Sequence, residues 1–295
     1  MENAIDAGAT AITVEITDGG KKLIRITDNG SGMDAEQVPL AFLRHATSKI
    51  EKVEDLTHIA SLGFRGEALS SIAAVSQVEL ITKTPSGISG TRYVIEGGKE
   101  QSLEEMGAPE GTTFLIRNLF YNTPARSKFL KSDMTEAGYI NTLMEQLALS
   151  HPEISFKYIQ NRQVKLSSSG NYSVKDVIYS VYGREIAKAL LDVSYENDFM
   201  KIEGFVGKPE ISRGNRTFEN YYINGRYVKN KIQLPRPLRT DIKDLSCSIN
   251  FRLSHFGSKW TAMTWMLMCI PQREKCVLPE KPKFIRPFMK LSARY

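Results

Sequence analysis

Asp28 ends an apolar–polar alternation and is followed by Asn29, Gly30, Ser31, Gly32 and Met33. A carboxylate there accepts hydrogen bonds, and two residues without side chains leave backbone bare enough for a flat ring to approach. Such a site can read an exocyclic amine, although the same letters also spell a plain Asp-Asn-Gly turn. Downstream, SLGFRGEALSSI (Ser61 to Ile72) sets Gly63 and Gly66 around Phe64-Arg65 and starts a helix at about Glu67. A flexible loop feeding a helix N-terminus is a ready anion site, or else an ordinary glycine-containing helix entry. RHATSKI (Arg44 to Ile50) joins hydroxyls and cations at a helix end, with Thr47, Ser48 and Lys49 in a row. GTTFLIRN places Thr112 beside Gly111 at a strand start, where its hydroxyl can reach a carboxylate or a water. At the front, Asn3 and Asp6 share one helical face, and Gly8 is a natural stop. No GxxxxGK[ST] pattern occurs, so this is not a P-loop.

The elements that must position these residues are legible in outline. AITVEI and LIRITD alternate as half-buried strands and, with GGKK between them, read as a hairpin. Residues 34–50 and 64–75 have helical patterns; QVELITKT, GTRYVIEGG and GTTFLIRNLF are strand-like. A long helical stretch over roughly 133–150 ends before His151-Pro152, and ISFKYIQNRQVKLSSSG reads as two short strands. SSSGNYS has the composition of a linker; beyond it VKDVIYSVYG reads as a helix, FMKIEGFVG and ENYYINGRYV as strands. Helices segregated from a mostly antiparallel sheet predict an α+β protein of two layers.

The totals narrow the function classes. With 295 residues, the chain has room for two domains, and 41% hydrophobic with 24% charged residues describes a folded, soluble protein, expected in the cytoplasm. No apolar run reaches membrane-span length and no signal-peptide pattern is present. The net charge of +6 permits a polyanionic partner without establishing one. Cys247, Cys269 and Cys276 form no CxxC pair and the four histidines are scattered, so neither a disulfide framework nor a zinc site is expected.

The clusters resemble one family in content and order. ENAIDAGAT, DNGSGM, RHATSKI, LGFRGEAL and GTT match the nucleotide-binding motifs of the gyrase, heat-shock chaperone, histidine kinase and MutL superfamily. GFRGEALSSI and LFYNTPARSKFL are wordings of the MutL mismatch-repair family, and the likeness runs from residue 2 to about 232. It implies a two-layer GHKL-type (Bergerat) α/β sandwich holding ATP over residues 1–170, then the start of a smaller α/β transducer domain over 171–232. By the same likeness Asn3 is the Mg²⁺ ligand, a neutral oxygen suited to a hard ion shared with phosphates. Asp28 is the adenine reader, with Gly32 supporting its pocket and Thr112 behind it. Thr47, Ser48 and Lys49 are lid residues, and Gly63, Phe64, Arg65, Gly66, Glu67, Ala68 and Leu69 cradle the phosphates. Asn224, Gly225 and Arg226, with Lys229 and Lys231, lie where the family has a basic DNA groove; a solvated loop would read the same. The implied partners are DNA, the mismatch sensor MutS and, in the intact family, a second copy of the chain. A non-hydrolysing nucleotide and DNA binding module, or a fragment without function, are the rival readings.

Two departures from the family pattern bear on turnover. The family's general-base glutamate lies four residues before the Mg²⁺ asparagine, which from Asn3 counts back past Met1. Glu2, one residue from Asn3, is turned about 100° away on a helix and is a weak substitute. The family's D-V-N-V-H-P-x-K stretch, whose lysine reaches the γ-phosphate, is replaced by WTAMTWMLMCIPQREKC. Trp and Met each have one codon, so a shifted register forces Asp at Trp260-Thr261, Met263-Thr264 and Trp265-Met266, and Val at Met268-Cys269. Permitted codons complete this as D-V-D-V-N-V-H-P-A-K. The expectation is a frameshift near Ile232-Gln233, residues 233–295 being out of frame, and a chain deficient in hydrolysis.

Overall fold

Period-two alternation builds the larger sheet. In the computed structural model, which describes residues 1–43, 67–196, 201–211, 218, 220–223, 225–227 and 248–254, the chain divides into two units, Met1–Val177 and Ile178–Tyr295. In the first unit β1 (Ala11–Thr17) and β2 (Leu23–Asp28) form the expected antiparallel hairpin. The strands β3 (Gln77–Lys83), β4 (Gly90–Glu96), β5 (Lys99–Met106) and β6 (Gly111–Arg117) follow. With β7 (Ser155–Gln160) and β8 (Gln163–Ser167) they give one eight-stranded sheet, ordered β5-β4-β3-β6-β2-β1-β7-β8. All pairings are antiparallel except β1 with β7. The fifth strand, KEQSLEEM, has no apolar alternation for the sequence to show, because it is an exposed edge.

One face of this sheet is covered. Val14, Ile16, Val78, Leu80, Tyr93, Ile95 and Ile116 all point into it and are buried. Helix α2 (Gln37–Leu40) contributes Val38, and α3 (Ala68–Ala73) contributes Leu69, Ile72 and Ala73 to the same cluster. The helical pattern expected over 34–50 is realised as α2 among the described residues, and that expected over 64–75 as α3. After the short α4 (Pro124–Ser127), helix α5 (Asp133–Ser150) runs the expected length, its N-cap Ser132 accepting the Thr135 N–H at 3.3 Å. Lys21 in the β1–β2 turn reaches back to α5, donating to Lys131 O at 2.7 Å and pairing with Asp133 at 2.8 Å. The stretch SSSGNYS, linker-like in composition, begins inside the fold: Ser168 is buried, accepting from Phe156 N at 2.9 Å and donating to Ile154 O at 3.2 Å. Helices on one face of a mostly antiparallel sheet give the two-layer α+β arrangement expected.

Helix α6 (Val174–Tyr182) leads into the second unit, followed by α7 (Arg184–Lys188). Its five-stranded sheet joins β9 (Leu190–Glu196), β10 (Lys201–Gly207), β11 (Tyr221–Ile223), β12 (Arg226–Tyr227) and β13 (Ser248–Ser254) in the order β12-β11-β13-β10-β9. Ile178, Ala187, Ala189, Leu190, Tyr221 and Tyr222 are among its buried residues, and Asn220, also buried, donates to the Tyr182 hydroxyl at 2.7 Å. The strand β13 falls in the segment expected to be out of frame; SINFRLS alternates as a strand must.

Candidate functional site

The site begins where the hairpin ends. Helix α1 (Glu2–Asp6) buries Ala4 and exposes Glu2 and Asn3, while Asp6 and Ala7 turn partly inward. Its C-terminal end is tied to the DNGSGM loop: Ser31 N–H donates to Ala7 O at 3.0 Å. Asn29 acts as the staple, its Oδ1 accepting from Thr10 N at 2.9 Å and Ala11 N at 2.8 Å, its Nδ2 donating to Thr10 Oγ1 at 2.8 Å. The glycines on either side of Ser31 are needed for close approach. A Cβ on Gly30 would come 2.9 Å from the Ala7 Cβ and 3.1 Å from Asp28 Oδ1. Gly32 has φ +66, and a Cβ there would run into Lys83 O of β3.

Strand register explains where Asp28 points. On the covered face, Asp28 of β2 stands opposite Thr112 of β6, Thr112 opposite Thr82 of β3, and Thr82 opposite Thr91 of β4. The neighbouring rows of those strands are apolar: Ile26, Phe114, Leu80 and Tyr93, then Ile24, Ile116, Val78 and Ile95. One end of the covered face is therefore a polar row across four strands. It is buried, with Asp28 at 7%, Thr112 at 8%, Thr82 at 1% and Thr91 at 8% exposure. Within it Thr82 Oγ1 accepts from Met33 N at 2.9 Å, donates to Gly111 O at 3.1 Å and lies 3.0 Å from Thr112 Oγ1.

Burial pushes the Asp28 carboxyl above its ordinary value. The Gly30 N–H, 3.0 Å from Oδ1, together with the Met1 ammonium and the Thr112 N–H, offsets part of that. Among the described residues no arginine or lysine contributes to the shift. A buried carboxylate with spare lone pairs, beside a glycine loop, can accept a hydrogen bond from an incoming N–H donor.

The structure thus brings together Asp28, Gly32 and Thr112, with α1 and its Asn3 joined to the same loop. Glu67 precedes α3, its carbonyl accepting from Ser71 N and Ser70 Oγ at 3.0 Å each; Ala68 is exposed, and Leu69 packs on the core. Arg226 opens β12 opposite Ile223, and Gly225 just before it has φ +75. Thr47, Ser48, Lys49, Gly63, Phe64, Arg65, Gly66, Asn224, Lys229 and Lys231 lie outside the described residues. Sequence reasoning missed Thr82. Its signal was a polar residue at the third inward position of QVELITK, after Val78 and Leu80.

Comparison with known proteins places this geometry. Residues 1–106 match the family described as histidine kinase-, DNA gyrase B-, and HSP90-like ATPase, and residues 178–245 match the DNA mismatch repair protein, C-terminal domain. The chain is 63% identical over 232 residues to the DNA mismatch repair protein MutL of Agathobacter rectalis, covering 79% of this chain and 36% of that protein. It is 47% identical over 231 residues to the MutL of Thermoanaerobacter pseudethanolicus, covering 78% and 38%. The chain spans little more than a third of the length of these relatives. Among solved structures, the Aquifex aeolicus MutL ATPase domain complexed with ADP superimposes with a TM-score of 0.64 at 24% identity, covering 100% of this chain and 93% of that one, a likeness of fold. The N-terminal domain of a DNA repair protein superimposes with a TM-score of 0.65 at 27% identity, over 78% of this chain and 72% of that one. Fold, motifs and sequence agree: the chain belongs to the MutL family of DNA mismatch repair proteins.

Proposed function

We propose that this chain is the ATP-binding module of a MutL-type mismatch repair protein. The observation that carries the reading is Asp28, buried at the polar end of the sheet beside glycines that leave no room for a Cβ. Those residues fit an adenine: a flat ring, an exocyclic amine for the carboxylate, and bare backbone along one edge. Asn3 would face the Mg²⁺ held by the phosphates, a role needing one neutral oxygen rather than a cage. Among the described residues no group of three or more His, Cys, Asp or Glu forms such a cage. The loop over Gly63–Gly66 and the entry of α3 through Glu67, Ala68 and Leu69 would hold the phosphates, with Thr47, Ser48 and Lys49 closing over them. Bound ATP supplies the phosphoanhydride bond; the chain's own residues bind, orient and shield it.

In this reading, nucleotide binding couples mismatch recognition by MutS to strand processing, through contacts with DNA at Arg226, Lys229 and Lys231 and through pairing of two copies. It is work for the cytoplasm, and among the described residues no helix is long and apolar enough to cross a membrane. Residues 1–170 form the ATP-binding domain, 171–232 begin the transducer domain, and 233–295 are read in a shifted frame. Within 233–295 the γ-phosphate lysine motif is replaced by WTAMTWMLMCIPQREKC. The 295-residue polypeptide should therefore bind nucleotide and turn over little, since losing a positioned cation removes charge stabilisation.

Calorimetric titration with a non-hydrolysable ATP analogue and Mg²⁺ tests the reading. One saturable site per chain is expected; an absence of binding overturns it. Sequencing the gene across Ile232-Gln233 tests the frame, which requires an uninterrupted alternative with the forced Asp and Val codons.

A further inference from the structure

We infer that Thr82 is a positioning residue for base recognition: it fixes the proton of the Thr112 hydroxyl so that Thr112 only accepts hydrogen bonds next to Asp28. The inference rests on the adenine reading above and adds a residue and a selectivity device to it.

A threonine hydroxyl has one proton and two lone pairs. Around Thr82 Oγ1 two of these three are claimed by partners of fixed polarity. Gly111 O, at 3.1 Å, can only accept and takes the proton. Met33 N–H, at 2.9 Å, can only donate and fills one lone pair. The remaining neighbour, Thr112 Oγ1 at 3.0 Å, must then donate into the second lone pair. Thr82 is 1% exposed, and an unmet bond at this depth is costly. With its proton committed toward β3, the Thr112 hydroxyl keeps only lone pairs.

Two acceptors, the Asp28 carboxylate and the Thr112 oxygen, thus occupy adjacent positions of one buried row. Such a pair favours a ring bearing an amine and rejects one bearing a carbonyl at the same position. The same Thr82 oxygen holds Met33, so the end of the glycine loop and the proton order of the row share one anchor.

The test compares ADP with inosine diphosphate, which exchanges the amine for a carbonyl, by calorimetry on the 295-residue chain with Mg²⁺. Thr82→Val should weaken ADP binding about ten-fold, the scale of one buried hydrogen bond. It should also shrink the preference for ADP over the inosine nucleotide, because the freed Thr112 proton can now meet a carbonyl. Thr82→Ser should stay near wild type on both counts. Adding Thr112→Val to Thr82→Val should restore the preference, since no misplaced donor remains. An unchanged preference in Thr82→Val, or a Thr82→Ser as impaired as Thr82→Val, overturns the assignment. If Thr82→Val fails to fold, Thr82→Cys, a small apolar-tolerant side chain with only a weak donor and acceptor, carries the same comparison. A wild-type chain that binds neither nucleotide overturns the adenine reading itself; wild-type binding with an indifferent Thr82 overturns only this one.

Discussion

Two carboxylates on opposite faces of one sheet have opposite fates. Glu79 lies on β3 between Val78 and Leu80, facing away from the covered side. Arg92 Nε reaches it at 2.7 Å and Arg117 Nη1 at 2.8 Å, and Arg92 goes on to Glu104 at 3.3 Å. Burial raises the Glu79 carboxyl, but its two arginines outweigh that and hold it below the ordinary value. On the covered face Asp28 has backbone N–H groups and the Met1 ammonium but, among the described residues, no arginine, and burial keeps it above its ordinary value. A carboxylate supplied with its own cations is finished as structure. One that is buried and short of donors is poised for a ligand to complete it.

The sharpest break of this comparison is Asp28→Asn. Nucleotide affinity should fall by about 100-fold or more, because an amide can no longer act as a pure acceptor toward the amine. The nucleotide-free protein should melt no lower than wild type at neutral pH, since a buried charge has been removed. As pH falls through the raised Asp28 value, wild type regains what charging cost it, so any advantage of the variant should shrink. Calorimetry and thermal melts read both; undiminished ADP binding would reduce Asp28 to a turn residue.

Gly32→Ala comes next. Its positive φ and the collision with Lys83 O should cost about 1–3 kcal/mol and weaken binding with it. Gly107, where an added Cβ meets nothing within 4 Å, supplies the control: Gly107→Ala should stay within about 0.5 kcal/mol of wild type. Equal costs at the two glycines would remove the argument for close approach. Glu79→Gln should cost about 1 kcal/mol, because the group is only partly buried and its arginines are more exposed still, and should leave ADP affinity untouched. Glu79 has a depressed value, so its contribution is present at neutral pH and is lost as pH falls through that value. Urea melts from pH 7 downward should show wild type and Glu79→Gln converging; a gap that widens in acid would reverse the assignment. Arg226→Ala has the smallest expected effect, a reduction of about one in the log–log salt slope of DNA binding. A slope unmoved by the change would leave Arg226 as a strand residue only.

The sequence disclosed the site's parts better than their assembly. Asp28, Gly32 and Thr112 stand out because turn glycines and a strand-start threonine have local signatures, and the β1–β2 hairpin joins neighbours in the chain. Thr82 and Thr91 have no such signature. They face each other across consecutive strands, but their meaning comes from the register of β3 with β6, which sets Thr82 against Thr112 across strands that are not neighbours in the chain and which no window of residues displays. The parallel pairing of β1 with β7 was hidden for the same reason, and β5 because an exposed edge strand carries no apolar period.

The polar row has a kinetic consequence. Its four members sit on strands that meet only when the chain has closed several long loops, so the row exists only once β2, β6, β3 and β4 are all docked. A ligand that needs the row cannot help nucleate the sheet. Nucleotide should therefore lower the unfolding arm of a chevron plot while leaving the refolding arm where it is, making the bound protein longer-lived rather than quicker to form.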